Sequence, residues 1–176
     1  LIIPGSKCNS KSINFMAKHG RGLICLALTK KQVDNLKLPL MSQINKSRMQ
    51  TAFTISIEAK KGITTGISAQ DRAKTIKTAI NPKVKKSEIV SPGHVFPLVA
   101  RTGGVLERAG HTEASVDISK LSKLNPSSVI CEVMNEDGRM ARLNDLFKFS
   151  KKHKIKLASI EDLISYRLKY EKLVKK

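Results

Sequence analysis

Residues 22–28 read GLICLAL, a short run that contains no charged or strongly polar side chain. A run of this length that is apolar throughout is typical of a β-strand covered on both faces, because both sets of alternating side chains avoid water. Such a strand requires other elements on each side of its sheet. We therefore expect residues 22–28 to be one strand of a layered α/β domain.

The segments around this run alternate between helical and extended patterns. A helix is predicted before it, capped by Ser10 or Ser12 and ended by Gly20. After it, residues 52–58 alternate apolar and polar side chains like a half-buried strand, and Ser68 begins a second helix with a capping box. Further strands are predicted at 95–100, 128–134 and 155–158, further helices at 112–121, 143–153 and 160–172, and an exposed loop at 81–88. This alternation predicts an α/β domain with a sheet between helices.

The chain has 176 residues, enough for one domain with a continuous core. No stretch approaches the roughly 18 apolar residues of a membrane-spanning helix, and the first residues lack the pattern of a signal peptide. Cys8, Cys25 and Cys131 have no CxxC spacing, so neither a disulfide framework nor a cysteine zinc site is indicated. These observations favour a soluble cytoplasmic protein with one domain, residues 1–176, and no membrane partner.

The chain carries 33 Lys and Arg against 14 Asp and Glu, a formal net charge of +19. Such an excess can mark a protein that neutralises nucleic-acid phosphates, and this is the first alternative to an enzyme. However, the lysines are spread along the whole chain, and only 4% of the residues are aromatic and able to stack on bases. We interpret most of the charge as solvated surface that also attracts anionic substrates, and we expect no nucleic-acid partner.

A candidate anion-binding loop runs from Arg108 through Ala109, Gly110 and His111 to Thr112, directly before a helical pattern. Its glycine lets the backbone approach a ligand, Thr112 can cap the helix, and free amides at a helix N-terminus bind phosphate. Arg108 adds a planar fork that suits phosphate oxygens. From spacing alone, an ordinary capped helix start is the commoner interpretation. His111 can ligate a metal, but without an HxxxH or HxH partner a structural histidine is the commoner role.

Two further positions are candidates because of their surroundings. The sequence SPGH at 91–94 is expected to form a turn that places His94 at the start of the next strand. There the imidazole can act as an acid or base, or simply bond to the backbone. Glu132 falls in the middle of an apolar strand, where a carboxylate is costly unless it is paired or used. Of the single positions, Glu132 gives the strongest indication of function.

Five blocks of sequence together resemble a known family. They are HGRGLICLAL from 19, TTGISAQDRAKTI from 64, SPGHVFPL from 91, GGVLERAGHTEA from 103 and CEVMNEDGRMAR from 131. In this order they are similar to the signature blocks of the 3,4-dihydroxy-2-butanone 4-phosphate synthases, and IEDLISYR from 160 is similar to the family's ending. The resemblance covers nearly the whole chain and is much more specific than one motif.

The resemblance implies a three-layer α/β fold with a mixed sheet, assembled as a homodimer with active sites near the subunit interface. It implies a lyase of riboflavin biosynthesis that converts D-ribulose 5-phosphate into L-3,4-dihydroxy-2-butanone 4-phosphate and formate. The implied cofactor is Mg²⁺ or Mn²⁺. A divalent cation suits this chemistry, because it stabilises the enediolate formed when a carbon-bound proton is removed.

The resemblance also implies roles for individual residues. His111 resembles the metal ligand, and residues 108–112 resemble the loop that binds the substrate and its phosphate. His94 and Glu132 resemble the residues essential for turnover, with Glu132 also at the substrate, and Cys25 resembles a cysteine beside the metal site. His94 and Glu132 are the groups expected to shuttle protons during the reaction.

One part of the family pattern is missing from the sequence. In the family, an acidic block of the form Arg, Glu, Asn, Glu, Gly, Asp precedes the triplet that residues 1–3 resemble, and it supplies a carboxylate to the metal. Without the block we expect this chain to be catalytically deficient, either as a piece of a longer protein or as a degenerate homologue. A related nucleotide-binding protein is the other alternative within this fold. A fusion to GTP cyclohydrolase II stays open.

Overall fold

The computed structural model describes residues 1–171. Its strands and α-helices are, in chain order, β1 (Ile2–Pro4), α1 (Ser10–Phe15), β2 (Cys25–Thr29), α2 (Lys30–Asn35), β3 (Ile57–Ala59), α3 (Ala69–Ala79), β4 (Ile89–Ala100), α4 (His111–Leu121), β5 (Ser127–Ile130), α5 (Leu143–His153) and α6 (Ile160–Tyr170). A π-helical turn, Met16–Gly20, extends α1, and 3-10 turns occupy Gly5–Lys7, Lys86–Glu88 and Gly104–Leu106. None of the helices within residues 1–171 has the length and apolar character needed to cross a membrane.

The strands form one mixed sheet in the order β1-β5-β2-β4-β3. β2 and β4 are parallel, with Cys25 opposite Phe96 and Thr29 opposite Ala100. The other neighbouring pairs, β1 with β5, β5 with β2 and β3 with β4, are antiparallel. This mixed sheet between helices confirms the predicted fold class.

The apolar run GLICLAL supplies most of β2, which begins at Cys25 instead of the predicted Gly22 and ends at Thr29. The side chains of β2 alternate between two apolar layers. Leu26 is fully buried in the main core with Ile13 of α1 and Ile76 of α3. Its neighbour Ala27 belongs to a second cluster with Val116 of α4. Because successive side chains of a strand point to opposite faces, α1 and α3 cover one face of the sheet and α4 the other. The prediction of three layers is therefore confirmed, and each buried Leu or Ile contributes about 1.5–3 kcal/mol.

The helix starts differ in part from their predictions. α1 is capped by Asn9 and not by one of the predicted serines, since the Asn9 side chain accepts a hydrogen bond from the Ser12 amide at 3.1 Å. Asparagine and serine are equally good caps, so the sequence did not discriminate between them. Gly20 is the last residue of the π-helical turn, and the left-handed cap expected at this glycine is instead adopted by Arg21, with φ 64°. Ser68 caps α3 as predicted by accepting from the Asp71 amide at 3.0 Å.

Two predicted strands have different limits. The segment 52–58 contributes only its end to β3, and its earlier part meets β4 only at an isolated bridge between Phe53 and Leu98. Thr54, which the alternation places on the polar face, is fully buried. β4 begins earlier than predicted and holds residues 91–94 in an extended conformation instead of a turn. Residues 81–88 form the predicted loop, which is mostly exposed and contains one 3-10 turn.

The predicted strand at 155–158 is wrong. These residues are an exposed connection between α5 and α6. A strand needs a partner strand, and residues 155–158 pair with none in the part of the chain that the structure describes. α5 has its predicted bounds. α6 begins where predicted and ends at Tyr170, and the predicted end Lys172 lies outside the described residues.

A cluster of four rings, Phe15, His19, Phe149 and His153, joins α5 to the end of the first helix. The ring centroids of His19 and His153 lie 4.6 Å apart, and Phe15 meets His153 edge-on at 5.1 Å. Burial is the largest cause that lowers the pKa of His19, followed by the charges of His153, Lys18, Lys152 and Arg21. The cluster is therefore more stable with a neutral His19 than with a protonated one.

We expect the melting temperature to fall as the pH is lowered from about 7.5 to about 5.5. The folded chain holds the pKa of His19 below its ordinary value of about 6.5, so the unfolded chain takes up this proton first. The resulting stability is present above that ordinary value and is lost as the pH falls towards the folded pKa. Thermal unfolding of the unaltered chain and of His19→Phe measures the effect. Equal pH dependence in the two proteins would contradict it.

Candidate active site

His94 lies in β4 with its imidazole against a carboxylate of the neighbouring strand. Its Nδ1 and Oε1 of Glu58 in β3 form a close hydrogen-bonded pair. The Glu58 side chain is 15% exposed and that of His94 44%, so the acid is sheltered while the imidazole stays accessible. A carboxylate at one ring nitrogen fixes the tautomer and leaves the other nitrogen free to exchange a proton. The sequence pattern placed Glu58 on the solvent side of its strand and missed this role.

A loop built on Asp71 closes over the His94–Glu58 pair. Oδ2 of Asp71 accepts hydrogen bonds from the Thr64 hydroxyl at 2.8 Å and from the Gly66 amide at 3.0 Å. The Thr64 bond is the largest cause that lowers the pKa of Asp71. Gly66 has φ +86° and lies so close to Glu58 and His94 that a side chain there would collide with both. The TTG part of the second block thus supports the pair.

Glu132 lies just beyond the end of β5, which corrects its expected position in the middle of a strand. β5 ends at Ile130, and Glu132 is exposed. Its Oε2 accepts a hydrogen bond from the Leu23 amide at 2.8 Å, in the segment that leads into β2. The cost of burial inferred from its apolar neighbours therefore does not apply. Its carboxylate is accessible and lies against Gly22, where an added Cβ would be 2.5 Å from Oε2, three residues before Cys25.

Cys25 is the first residue of β2 and is 2% exposed. Burial, with smaller contributions from Glu132 and Cys131, raises the pKa of the Cys25 thiol to about 12. The thiol is therefore neutral near pH 7, and a neutral thiol is a poor nucleophile and a poor metal ligand. Cys25 can line a site, but the structure gives no support for covalent catalysis by it.

The loop 108–112 is organised around the guanidinium of Arg108. Its Nη1 donates to Oε2 of Glu113 at 2.6 Å, and its Nη2 donates to the Met49 carbonyl at 2.8 Å and to the Thr51 hydroxyl at 3.4 Å. The Arg108 side chain is 23% exposed and that of Glu113 only 1%. Arg108 is thus a fixed part of the structure and not a free surface arginine.

The same loop begins α4 at a different residue than predicted. Gly110 is the cap residue, while Thr112 is buried within the first turn and does not cap. His111 is exposed on that turn beside Ala109, which is also exposed. The first amides of a helix have no partner inside it, so the turn 111–113 can still receive an anion.

Cys25, His94 and Glu132, here called the amino-end group, lie at one end of the parallel pair of strands. Cys25 is level with Phe96, two positions after His94, and with Ile130, two positions before Glu132. Neighbouring strands lie about 4.8 Å apart, so this register places Cys25 between His94 and Glu132, whose backbones are about 10 Å apart. The structure therefore places these predicted residues at the same end of the sheet.

Residues 108–112, here called the carboxyl-end group, lie at the opposite end of the same strands. The amide of Arg101, directly after β4, donates to Oε1 of Glu113 at 3.0 Å, and Glu113 holds Arg108. At about 3.3 Å per residue, β4 separates His94 from Arg101 by about 23 Å. Within one chain, the structure does not bring the two groups together.

His111 has no set of metal ligands around it in the part of the chain that the structure describes. Among residues 1–171, no three His, Cys, Asp or Glu side chains converge where they could hold a metal ion. A hard divalent cation prefers several oxygen ligands, which an exposed imidazole alone does not provide. The described residues of a single chain therefore do not fit a complete metal site.

Comparison with known proteins assigns the chain to one family. The family model of 3,4-dihydroxy-2-butanone 4-phosphate synthase matches residues 1–166. The chain is 57% identical over 178 residues to the riboflavin biosynthesis protein RibBA of Aquifex aeolicus, covering 100% of this chain and 44% of that protein. It is 53% identical over 174 residues to the 3,4-dihydroxy-2-butanone 4-phosphate synthase of Neisseria meningitidis, covering 99% and 48%. The chain belongs to the 3,4-dihydroxy-2-butanone 4-phosphate synthase family.

Solved structures agree with this assignment. A two-domain 3,4-dihydroxy-2-butanone 4-phosphate synthase from A. baumannii, RibBX, superposes with a TM-score of 0.93 at 47% identity, covering 97% of this chain and 50% of that one. A structure of a 3,4-dihydroxy-2-butanone 4-phosphate synthase in complex with two magnesium ions superposes with a TM-score of 0.91 at 36% identity, covering 99% and 86%. The chain spans about half the length of the first two curated relatives.

Proposed function

We propose that the protein is a lyase that converts D-ribulose 5-phosphate into L-3,4-dihydroxy-2-butanone 4-phosphate and formate, in riboflavin biosynthesis. The observation that carries this proposal is the family match over residues 1–166. The geometry adds support, because the amino-end group combines an imidazole oriented by a carboxylate with a second, accessible carboxylate. We place this activity in one domain, residues 1–176, working in the cytoplasm.

The amino-end group is assigned the proton transfers of the reaction. His94, held at Nδ1 by Glu58, can take a proton from a sugar carbon or hydroxyl and return it at a later step. Glu132 is a second acid or base and a contact for the substrate, and Cys25 lines the site as a neutral thiol. Together these groups can carry out a series of reaction steps in which protons are removed from neighbouring carbons and returned to them.

The carboxyl-end group is assigned the phosphate of the substrate. Arg108 offers guanidinium hydrogens that its partners leave free, and the first turn of α4 offers backbone amides. Ala109 and Gly110 place no bulky side chain over these donors, and Thr112 fixes the turn from inside. Anchoring the non-reacting phosphate orients the carbons that react.

We propose a homodimer in which each active site takes its amino-end group from one protomer and its carboxyl-end group from the other. The separation of about 23 Å along β4 supports this, because a five-carbon sugar phosphate cannot bridge the two groups within one chain. A two-fold axis provides two such sites at one interface. Measuring the molar mass in solution by light scattering tests the oligomeric state directly.

The proposed cofactor is a divalent cation, Mg²⁺ or Mn²⁺, with His111 as one ligand. Support comes from the relative whose structure is in complex with two magnesium ions. Since residues 1–171 of one chain do not complete such a site, the remaining ligands must be oxygen groups from elsewhere, such as the acidic block of the family pattern.

Formate release from ribulose 5-phosphate tests the proposed function. The assay compares the 176-residue chain with a version extended by the acidic block, each with magnesium and with an excess of EDTA. We expect activity in the extended version, its loss with EDTA, and little activity in the shorter chain. No formate from either version, or tight salt-sensitive RNA binding without ribulose 5-phosphate binding, would refute the lyase. Equal turnover by both versions would refute the proposed metal ligands.

A further inference from the structure

Glu113 is a buried carboxylate that the reaction as proposed does not use. It is the third residue of α4 and is 1% exposed. A glutamate at this position usually turns back to the backbone amide of its own helix cap, which here is Gly110. The Gly110 amide instead donates to the Arg108 carbonyl at 2.7 Å. Glu113 therefore does not accept the usual capping hydrogen bond from the Gly110 amide.

The two oxygens of Glu113 join two parts of the site. Oε2 accepts the 2.6 Å bond from Nη1 of Arg108, and Oε1 accepts the 3.0 Å bond from the Arg101 amide at the end of β4. A charge-assisted bond in a buried place is strong and directional. The sheet therefore fixes Glu113, and Glu113 fixes one terminal nitrogen of Arg108.

Gly110 is a glycine because this ion pair passes directly beneath it. A Cβ at Gly110 would collide with Nη1 of Arg108 and would lie 2.5 Å from Oε2 of Glu113. The other terminal nitrogen of Arg108 is held by the Met49 carbonyl. With both ends of the guanidinium held, its plane is set before any ligand arrives, which lowers the entropy cost of binding a phosphate.

We propose that Glu113 is a positioning residue, which orients Arg108 for the phosphate of the substrate without touching the substrate itself. The inference rests on the proposed function in that it takes Arg108 as the phosphate-binding arginine. It goes beyond that function because it makes the affinity for the phosphate depend on Glu113, a buried carboxylate of α4 that is bonded to the residue after β4.

The test is a calorimetric titration of ribulose 5-phosphate and of inorganic phosphate into the unaltered chain, Glu113→Gln, Arg108→Lys and the double variant. Glu113→Gln keeps the shape of the side chain and its acceptor for the Arg101 amide but removes the charge. We expect Glu113→Gln to weaken both ligands by about 10-fold or more. The matched control is Glu107→Gln, whose exposed carboxylate in the same segment also accepts a backbone amide, from Gly103 at 2.8 Å. The control should bind as the unaltered chain does.

The double variant separates positioning from general stability. If Glu113 acts through Arg108, Glu113→Gln should weaken binding much less in the Arg108→Lys background than in the unaltered chain. A melting temperature lowered without a change in affinity, or equal losses of affinity in both backgrounds, would overturn the proposal. If the unaltered chain binds ribulose 5-phosphate and Glu113→Gln binds it with the same affinity, this proposal alone is overturned. Failure of the unaltered chain to bind ribulose 5-phosphate overturns it together with the proposed function.

Discussion

His94→Ala and Glu132→Gln should each slow formate release from ribulose 5-phosphate by about 100-fold or more, in a version of the protein that is active unaltered. The reason is that both side chains are accessible at the amino-end group, where His94 is oriented by Glu58 and Glu132 by the Leu23 amide. Neither residue belongs to the hydrophobic core, so both variants should fold. Initial rates at saturating substrate, together with melting curves, measure the effect.

His153→Ala is the control for this experiment. His153 lies in the ring cluster that holds α5 and is not a member of the amino-end group, so removing it should alter stability more than turnover. Full activity of His94→Ala or Glu132→Gln would contradict the proton-transfer roles. A variant that had lost its fold would be recognised by its melting curve.

Arg167→Ala should lower the free energy of unfolding by about 3 kcal/mol, because it removes the nearest cation of the buried Asp117 carboxylate and leaves only the Val105 amide at 2.8 Å and Lys120 at 3.9 Å. Nη1 of Arg167 donates to Oδ2 of Asp117 at 2.7 Å and to the Gly103 carbonyl at 2.9 Å. The Asp117 side chain is 3% exposed and that of Arg167 13%. The other side of the guanidinium pairs with the Glu171 carboxylate. This hydrogen bond is the largest of the causes that raise the pKa of Arg167. α6 is tied to α4 through these bonds.

Thermal unfolding measures this loss, and Arg139→Ala is its control. At about 2–4 °C per kcal/mol for a domain of this size, the melting temperature of Arg167→Ala should fall by roughly 6–12 °C. Arg139 also forms an ion pair, with Asp137, but its side chain is 84% exposed, and exposed pairs contribute little. Similar small shifts in both variants would show that the Arg167 pair does not hold α6.

The fold was largely predictable because its core elements follow local rules. The apolar run gave β2, the bounds of α5 followed from helical periodicity, and Ser68 identified the start of α3. The strand at 155–158 was predicted wrongly because its pattern is locally extended and apolar, whereas a strand also needs a free sheet edge. The placement of Glu132 inside a strand failed for a similar reason, since apolar neighbours do not show where pairing ends.

The site was predictable in its residue types but not in its arrangement. Glu58 was missed because its partner His94 lies 36 positions away, and only the pairing of β3 with β4 brings them together. Glu113 was passed over because a glutamate at a helix start normally caps, and its burial depends on where α4 lies on the sheet. Motif matching proposed the residues of both groups, but the sequence did not show that β4 keeps them apart.

The separation of the two groups by the length of β4 has a genetic consequence. If each site combines groups from two protomers, a His94→Ala chain and a His111→Ala chain can repair each other when they assemble together. In such a hybrid one site carries both substitutions and the other carries neither. Random reassembly of equal amounts should restore about a quarter of the activity of the unaltered enzyme, although each parent alone is inactive. Mixing after denaturation and refolding tests this, and no recovery would show that each protomer completes its own site.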